Sequence, residues 1–325
     1  MMVWLSLLGG FVLLVVGGEL LVRGAVQVAN RLGVSPLVIG LTLVGFGTST
    51  PELMTSVQAA LSGSPGIAYG NIVGSNIANT LLILGAAALL SPILIDSRAL
   101  KRDGVVMVAA AIMFSLLAAT VSFGWFVGAV FVAALAGYIY VAFRHESAAG
   151  GQEHGAVYEK AVAAQELDPG FRPAAAPTAL LLPLLIALAG LGIVVLGGSL
   201  LVSGAVSLAR SLGISETIIG LTIVAVGTSL PELVTSLVAA FRKEADVAFG
   251  NIIGSSIYNI LGIGGITALF APGRVPAEIA SFDNLVMLAA ACLAVGMAYT
   301  GWRIGRREGA LLLLGYAGYL VWIWP

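Results

Sequence analysis

The sequence predicts an all-α membrane protein with ten transmembrane helices, arranged as two inverted five-helix repeats. Three observations predict this fold. Hydrophobic residues make up 59% of the 325-residue chain and charged residues only 10%, whereas a soluble domain carries about 25% charged residues. Apolar runs of about the length that a bilayer requires recur along the whole chain. The second half of the chain also repeats the first half at a fixed offset of 180 residues.

The apolar runs define ten candidate spans, which cover residues 3–29, 35–61, 66–90, 104–120, 124–143, 179–208, 215–241, 247–270, 282–300 and 309–324. Each is interpreted as a helix because a helix satisfies its own backbone hydrogen bonds in lipid. The one extended polar stretch, 144–178, separates the fifth span from the sixth and is interpreted as a cytoplasmic linker with one short helical piece. The predicted organisation is a first repeat over 1–143, this linker, and a second repeat over 179–325.

The positions of lysine and arginine predict the orientation. If the ten spans alternate, 13 of the 15 basic residues fall on one side of the membrane, and only Arg210 and Arg274 on the other. Basic loops face the cytoplasm, so both termini are predicted outside and the linker inside. We expect a multi-pass protein of the cell membrane that is embedded in the lipid bilayer. The net charge of −1 argues against a nucleic-acid partner, and no obligate protein partner is evident.

The internal repeat is clearest over residues 33–79 and 213–259, which align without a gap and share 25 identities in 47 pairs. Within these regions the functional motifs span 40–79 and 220–259. Each repeat holds five spans, an odd number, so the second copy must cross the membrane in the opposite direction. Inverted repeats are typical of alternating-access transporters, whose substrate site lies near the midplane between the copies.

Each repeat places a short polar motif inside a span, Gly47 to Glu52 in the first copy and Gly227 to Glu232 in the second. The proline of each motif has no amide hydrogen and therefore predicts a kink or a break in the helix. The glutamate that follows the proline lies at membrane depth, where an ionisable side chain is costly and by default indicates a functional site.

The next span of each repeat adds a serine and an asparagine four residues apart, which therefore share one helix face. These are Ser75 with Asn79, and Ser255 with Asn259. Other residues of the spans have structural interpretations. Asn71 and Asn251 are candidates for hydrogen bonds at the helix breaks, Thr42 and Thr222 for bonds to their own helices, and Asp283 for a solvated position at a span end.

The candidate site contains only oxygen ligands, with no His, Cys, Lys or Arg among its intramembrane residues. Such a set favours hard cations, which are calcium or an alkali metal. Two facing carboxylates repel each other without a cation. One divalent cation, or about two monovalent ones, would neutralise the pair, and a site that accepts either has to exchange them. This chemistry indicates an antiporter.

Three other functions stay open at this stage. A calcium/proton exchanger is the close alternative, because a carboxylate pair can also carry protons. A cation channel belongs to a different class and would show flux without a counter-ion. An intramembrane enzyme is the weakest alternative, since the spans contain no nucleophile with a neighbouring base.

The paired motifs resemble the two α-repeats of the cation/calcium exchanger superfamily, and the whole chain resembles its short prokaryotic sodium/calcium exchangers. The resemblance implies a secondary antiporter that moves calcium against sodium, with both ions as transported ligands and without a cofactor. It also implies that the first and sixth spans slide as a pair past the other eight.

The resemblance further implies which residues bind the ions. Calcium would be held by the carboxylates of Glu52 and Glu232 and the main-chain carbonyls of Thr48 and Thr228. The implied sodium-binding residues are Gly45, Thr48, Ser49, Glu52, Ser75, Asn79, Ala225, Thr228, Ser229, Glu232, Ser255 and Asn259. One position departs from the pattern, because many relatives have Asp where this chain has Asn259. The site then carries two formal negative charges rather than three, which weakens the case for potassium co-transport.

Overall fold

The structure is a computed structural model of the chain. It describes residues 2–34, 36–39, 42–43, 45–95, 98–148, 154–171, 180–301 and 303–324. Over these residues the protein is helical almost throughout, as the sequence predicted. Parts of two predicted features lie outside the described residues, namely 40–41 and 44 in the first motif region and 149–153 and 172–178 in the linker.

The α-helices are, in chain order, α1 Met2–Arg31, α2 Pro36–Ile39, α3 Gly45–Gly47, α4 Thr50–Leu61, α5 Pro65–Ile77, α6 Leu84–Leu90, α7 Arg98–Thr120, α8 Trp125–Ala148, α9 Ala156–Leu167, α10 Leu181–Leu212, α11 Glu216–Ile219, α12 Ala225–Thr228, α13 Leu230–Phe241, α14 Ala245–Ile257, α15 Gly264–Phe270, α16 Asn284–Gly301 and α17 Arg306–Ile323. Wider π-helical turns cover Ala78–Ile83, Gly220–Val224, Tyr258–Ile263 and Ile279–Asp283. Two short strands, β1 Ile93–Leu94 and β2 Arg303–Ile304, pair antiparallel.

Seven of the described helices are long and apolar enough to cross a membrane, and the bent pair 216–228 with 230–241 adds an eighth. Helices α5 and α6 form one of these spans, as do α14 and α15, because a π-helical turn joins the members of each pair. The predicted second span falls partly on residues that are not described. The predicted count of ten and the predicted orientation of the termini stay predictions.

Helices α1 and α10 form a long pair whose backbones approach closely. A Cβ atom added to Gly10 would meet the backbone of α10 at Leu201 and Gly197, and one added to Gly17 would meet it at Val194. Glycine at such positions lets two helices pack backbone to backbone. Helix α1 and helix α10 correspond to the first and sixth predicted spans, so the pair that was expected to move together is tightly packed.

The centre of the molecule is formed by α5 and α14, which are the least exposed of the spans. In the most apolar stretch of the span Pro65–Leu90, which contains α5, 83% of the residues are buried, and the value for Ala245–Phe270, which contains α14, is 89%. Both helices contribute to the largest hydrophobic core. Asp283 also lies inside: its side chain is buried and accepts a hydrogen bond of 2.8 Å from the Tyr319 hydroxyl. The prediction that Asp283 is solvated was wrong, because the turn that holds it packs against α5 and α7 and its carboxylate bonds to Tyr319 of α17.

The linker contains one short helix, α9, as predicted. Its alanine-rich face is buried, and it packs against α14 and the broken helix of the second repeat. The linker is therefore not a solvated connection over its helical part.

Candidate functional site

The site is built around two broken helices, α3 with α4 and α12 with α13. Each helix is interrupted at a serine, Ser49 or Ser229, whose backbone angles leave the helical range (φ −89°, ψ 9° and φ −85°, ψ 8°). The chain restarts with proline in the first turn, where its missing amide hydrogen costs nothing. The second break bends the chain by 49°. The breaks predicted from the two prolines are thus observed.

The glutamates lie in the first turn after each break, and both are only 1% exposed. A helix N-terminus carries a partial positive charge that favours a carboxylate. Ser49 donates a hydrogen bond of 3.2 Å to Glu232 Oε1, and Ser229 donates one of 3.0 Å to Glu52 Oε1. Each serine therefore contacts the carboxylate of the opposite repeat, and this crossed pairing brings the two breaks together at the centre of the molecule.

Asn71 and Asn251 hold the restarted helices in place. Asn71 Nδ2 donates to the backbone carbonyl of Glu52 at 3.1 Å and to Ser56 Oγ at 2.9 Å. Asn251 makes the equivalent bonds to the Glu232 carbonyl at 3.2 Å and to a serine at 2.8 Å. The prediction that these asparagines bond near the helix breaks is confirmed. The prediction that Thr42 and Thr222 bond to their own helices is also confirmed, at 2.6 Å in both cases.

Several buried oxygen atoms at the centre have no hydrogen-bond partner among the described residues. They are Glu52 Oε2, Glu232 Oε2, Asn79 Oδ1 and Asn259 Oδ1. Buried polar atoms are normally paired, so each exception needs an explanation. The two asparagines lie in the π-helical turns that follow α5 and α14, and turns of this kind are frequent at functional sites.

The remaining predicted site residues lie in the same buried region. Ser75 and Ser255 are fully buried on α5 and α14, and Gly45, Ala225 and Thr228 are buried on the first halves of the broken helices. Thr48 is half-buried at the first break. The structure thus joins Ser49 with Glu232, Ser229 with Glu52 and Ser75 with Ala225 across the two repeats. The other predicted residues lie on the same broken helices, or on α5 and α14 and the turns that follow them.

The two repeats are not packed alike at this place. On one side, Thr228 Oγ1 donates to Asn71 Oδ1 at 2.9 Å and Ser75 Oγ donates to the Ala225 carbonyl at 3.4 Å. These bonds join α5 directly to the broken helix of the second repeat. On the other side, Asn251 Oδ1 has no partner among the described residues. Within the described ranges, the broken helix of the first repeat makes no equivalent bond to α14.

Lys160 of α9 occupies the second side. Its ammonium donates to Thr48 Oγ1 at 2.6 Å, to Ser255 Oγ at 2.5 Å and to Glu232 Oε1 at 3.3 Å. These three bonds use all three ammonium hydrogens, and the side chain is fully buried. The sequence analysis considered only the intramembrane residues of the site and therefore missed Lys160, a residue of the polar linker that enters it. The sequence signalled only a short alanine-rich helix, and nothing in it indicated insertion.

The arrangement suits a hard cation. Two carboxylate oxygens and two amide oxygens without partners are the ligands that calcium and sodium accept. Among the described residues, no group of three or more His, Cys, Asp and Glu side chains could hold a metal ion. A cation bound at these oxygens would meet two carboxylates and otherwise neutral oxygens.

Comparisons with known proteins identify the family of this chain. The family model described as sodium/calcium exchanger protein matches residues 2–144 and 182–324. The chain is 38% identical over 313 residues to the putative antiporter CaxA of Alkalimonas amylolytica, which covers 95% of both chains. It is 36% identical over 349 residues to the sodium/calcium exchanger MaX1 of Methanosarcina acetivorans, with 98% and 97% of the two chains covered.

Solved structures of the sodium-calcium exchanger NCX_Mj are similar as well. The structure soaked with 2.5 mM Na⁺ and 0.1 mM Ca²⁺ is 30% identical to this chain, with a TM-score of 0.61 and coverage of 100% and 99% of the two chains.

Proposed function

The chain belongs to the sodium/calcium exchanger protein family, and we propose that it exchanges calcium for sodium at the site between Glu52 and Glu232. Members of this family are transporters and not enzymes, and they carry ions as substrates without a cofactor. The chain is accordingly a membrane protein that exchanges calcium with another cation. The choice of sodium, the site residues and the mechanism are the proposal.

The observation that carries the proposal is the pair of carboxylate oxygens, Glu52 Oε2 and Glu232 Oε2, which are buried and have no hydrogen-bond partner in the described part of the chain. Two buried carboxylates repel, and a cation bound between them removes the repulsion. One calcium ion neutralises both charges, and two sodium ions do the same. Calcium and sodium therefore compete for one site, and a competition of this kind is what an exchange mechanism needs.

In the proposed arrangement, calcium is bound by Glu52, Glu232 and the main-chain carbonyls of Thr48 and Thr228. Sodium uses the same carboxylates together with the oxygens of both repeats. The proposed sodium-binding residues are Gly45, Thr48, Ser49, Glu52, Ser75, Asn79, Ala225, Thr228, Ser229, Glu232, Ser255 and Asn259. The helix breaks support the main-chain ligands at Thr48 and Thr228, because a break frees backbone carbonyls that an intact helix would use itself.

Alternating access is proposed to result from movement of α1 and α10 as one body. Their close backbone packing makes the pair stiff. In this mechanism, α1 and α10 slide past the site only when bound cations neutralise the carboxylates of Glu52 and Glu232, since an uncompensated buried charge is costly. The linker side is proposed to be cytoplasmic, in agreement with the basic residues on that side.

A flux measurement tests the proposal. The purified protein is placed in liposomes loaded with sodium, potassium or an acidic buffer, and calcium uptake is followed with and without an imposed membrane potential. We expect uptake only from sodium-loaded liposomes, and its response to the potential reports the number of sodium ions per calcium. Equal uptake driven by the acidic interior would instead establish calcium/proton exchange, and uptake without any counter-ion gradient would indicate a channel.

A further inference from the structure

The linker helix α9 places the amino group of Lys160 inside the site. We propose that Lys160 is a tethered competitor of the transported ions: its ammonium takes the place of a cation between Thr48, Glu232 and Ser255, and it has to withdraw before cations bind there. This inference rests on the proposed function of the site, and it assigns a role to a linker residue that lies outside the spans.

The Lys160 ammonium contacts the same kinds of oxygen atoms that a bound cation would contact. It touches a threonine hydroxyl, a serine hydroxyl and a carboxylate oxygen, all within 3.3 Å. Two of these partners, Ser255 and Glu232, belong to the second repeat, and Thr48 belongs to the first. All three are among the residues proposed to bind sodium. The ammonium and a cation in this position therefore exclude each other.

Helix α9 packs on the face of α14 that corresponds to the face of α5 covered by the second repeat. A Cβ atom added to Gly74 of α5 would meet Leu221 and Ala225 of the second broken helix. At the equivalent glycine of α14, Gly254, a Cβ atom would instead meet Ala156 and Lys160. Helix α9 thus covers the face of α14 that corresponds to the covered face of α5, and it separates α14 from the broken helix of the first repeat.

The charge of the site makes the competition strong. The two glutamates carry two negative charges, and the ammonium neutralises one of them. A buried lysine is costly unless it is paired, and Glu232 Oε1 supplies the pair at 3.3 Å. Withdrawal of Lys160 would leave both carboxylates uncompensated. Cation binding and lysine withdrawal therefore favour each other.

The attachment of α9 is suited to reversible release. At its first residue, the Ala156 amide donates to the buried carboxylate of Asp103 at 2.6 Å. Beyond its last turn, Asp168 accepts two bonds from the Arg23 guanidinium, at 2.7 and 2.8 Å. The Arg23 side chain is 39% exposed, whereas the Asp103 carboxylate is fully buried. Water and salt therefore reach the C-terminal attachment of α9 more easily than the N-terminal one, and the C-terminal end is the easier to release.

Arg23 also connects α9 to the moving part of the proposed mechanism, because it belongs to α1. A cavity of about 390 Å³ lies between these two helices, and its lining extends from Glu19 and Arg23 to Thr48 at the site. Movement of α1 would displace Arg23 and weaken its hold on Asp168. The family model leaves residues 145–181 unmatched, so α9 is a feature of this chain that the family match does not include.

A calcium titration of the purified protein in detergent tests the proposal without depending on transport. If the ammonium occupies the site in about nine molecules of ten, the apparent affinity for calcium is reduced about tenfold. We expect Lys160→Gln to bind calcium about tenfold more tightly than the unaltered protein. Lys243→Gln is the matched control, since Lys243 is exposed, and its affinity should be unchanged.

The outcomes separate this proposal from the proposed function. Unchanged or weaker calcium binding by Lys160→Gln would overturn the role of the lysine and leave the function intact. Calcium binding that survives both Glu52→Gln and Glu232→Gln would overturn the site itself. A soluble, monodisperse Lys160→Gln protein that has lost sodium-driven calcium uptake would also overturn the proposal, because the lysine would then be required for exchange.

A second measurement distinguishes the charge of Lys160 from its volume. Lys160→Cys is prepared together with Cys292→Ser, since Cys292 is exposed and would also react. Attachment of an aminoethyl group to the new thiol restores an ammonium, whereas an ethyl group restores only volume. We expect the aminoethyl group to return the weaker calcium affinity and the ethyl group to leave it tight. Equal effects of the two groups would refute a competition by charge.

Discussion

Replacement of one central carboxylate by its amide is the most direct perturbation of this site. Glu52→Gln keeps the volume and the hydrogen bond from Ser229, which is 3.0 Å from Glu52 Oε1, and removes only the charge. The partner Glu232 is fully buried at 1% exposure. In the calcium-bound state each carboxylate is paired with the cation, and removal of one partner from a buried pair of opposite charges costs about 3–5 kcal/mol. Each 1.4 kcal/mol corresponds to about tenfold in affinity.

We therefore expect Glu52→Gln to weaken calcium binding by at least about 100-fold and to abolish sodium-driven calcium uptake. Glu232→Gln should behave in the same way, since the two repeats contribute equivalent carboxylates. The measurements are calcium titration in detergent and tracer uptake into sodium-loaded liposomes. Glu278→Gln serves as the control because Glu278 is exposed. Rapid exchange by either central variant would refute the assignment of the site.

Two further predictions concern the scaffold. Gly10→Ala should slow exchange or prevent folding, because its Cβ would meet the backbone of α10, whereas Gly9→Ala has nothing within 4 Å and should be neutral in the same uptake assay. Tyr319→Phe should lower the thermal unfolding temperature in detergent, since it leaves Asp283 buried without its partner at a cost of about 1–3 kcal/mol. Tyr316→Phe removes a buried hydroxyl without a described partner, so an equal loss of stability in this variant would contradict the reasoning.

The helix breaks show how far local sequence reasoning extends. A proline cannot donate a backbone hydrogen bond and a glutamate at membrane depth is costly, and both facts hold wherever the helix packs. The breaks at Ser49 and Ser229 could therefore be predicted before any helix was placed. The same holds for the bonds of Thr42 and Thr222, because a hydroxyl on a helix reaches the carbonyl four residues earlier.

Contacts between distant parts of the chain could not be predicted from local sequence. The crossed bonds from Ser49 to Glu232 and from Ser229 to Glu52 join residues 183 and 177 positions apart. The repeat made their meeting plausible by symmetry, but symmetry predicts equal packing on both sides. The burial of Asp283 was missed for a related reason, since it depends on a tyrosine from a different helix.

The sequence by itself determined the helical membrane fold, the two broken helices and the oxygen-rich candidate site, because each follows from hydropathy, the chemistry of proline or the repeat. Only the tertiary structure decided that the two repeats differ at the site and that Lys160 lies between Thr48, Glu232 and Ser255. The physical reason is that a lysine in a polar linker has no local signature of burial. Its place depends on the charge and the open face that the rest of the fold presents to α9.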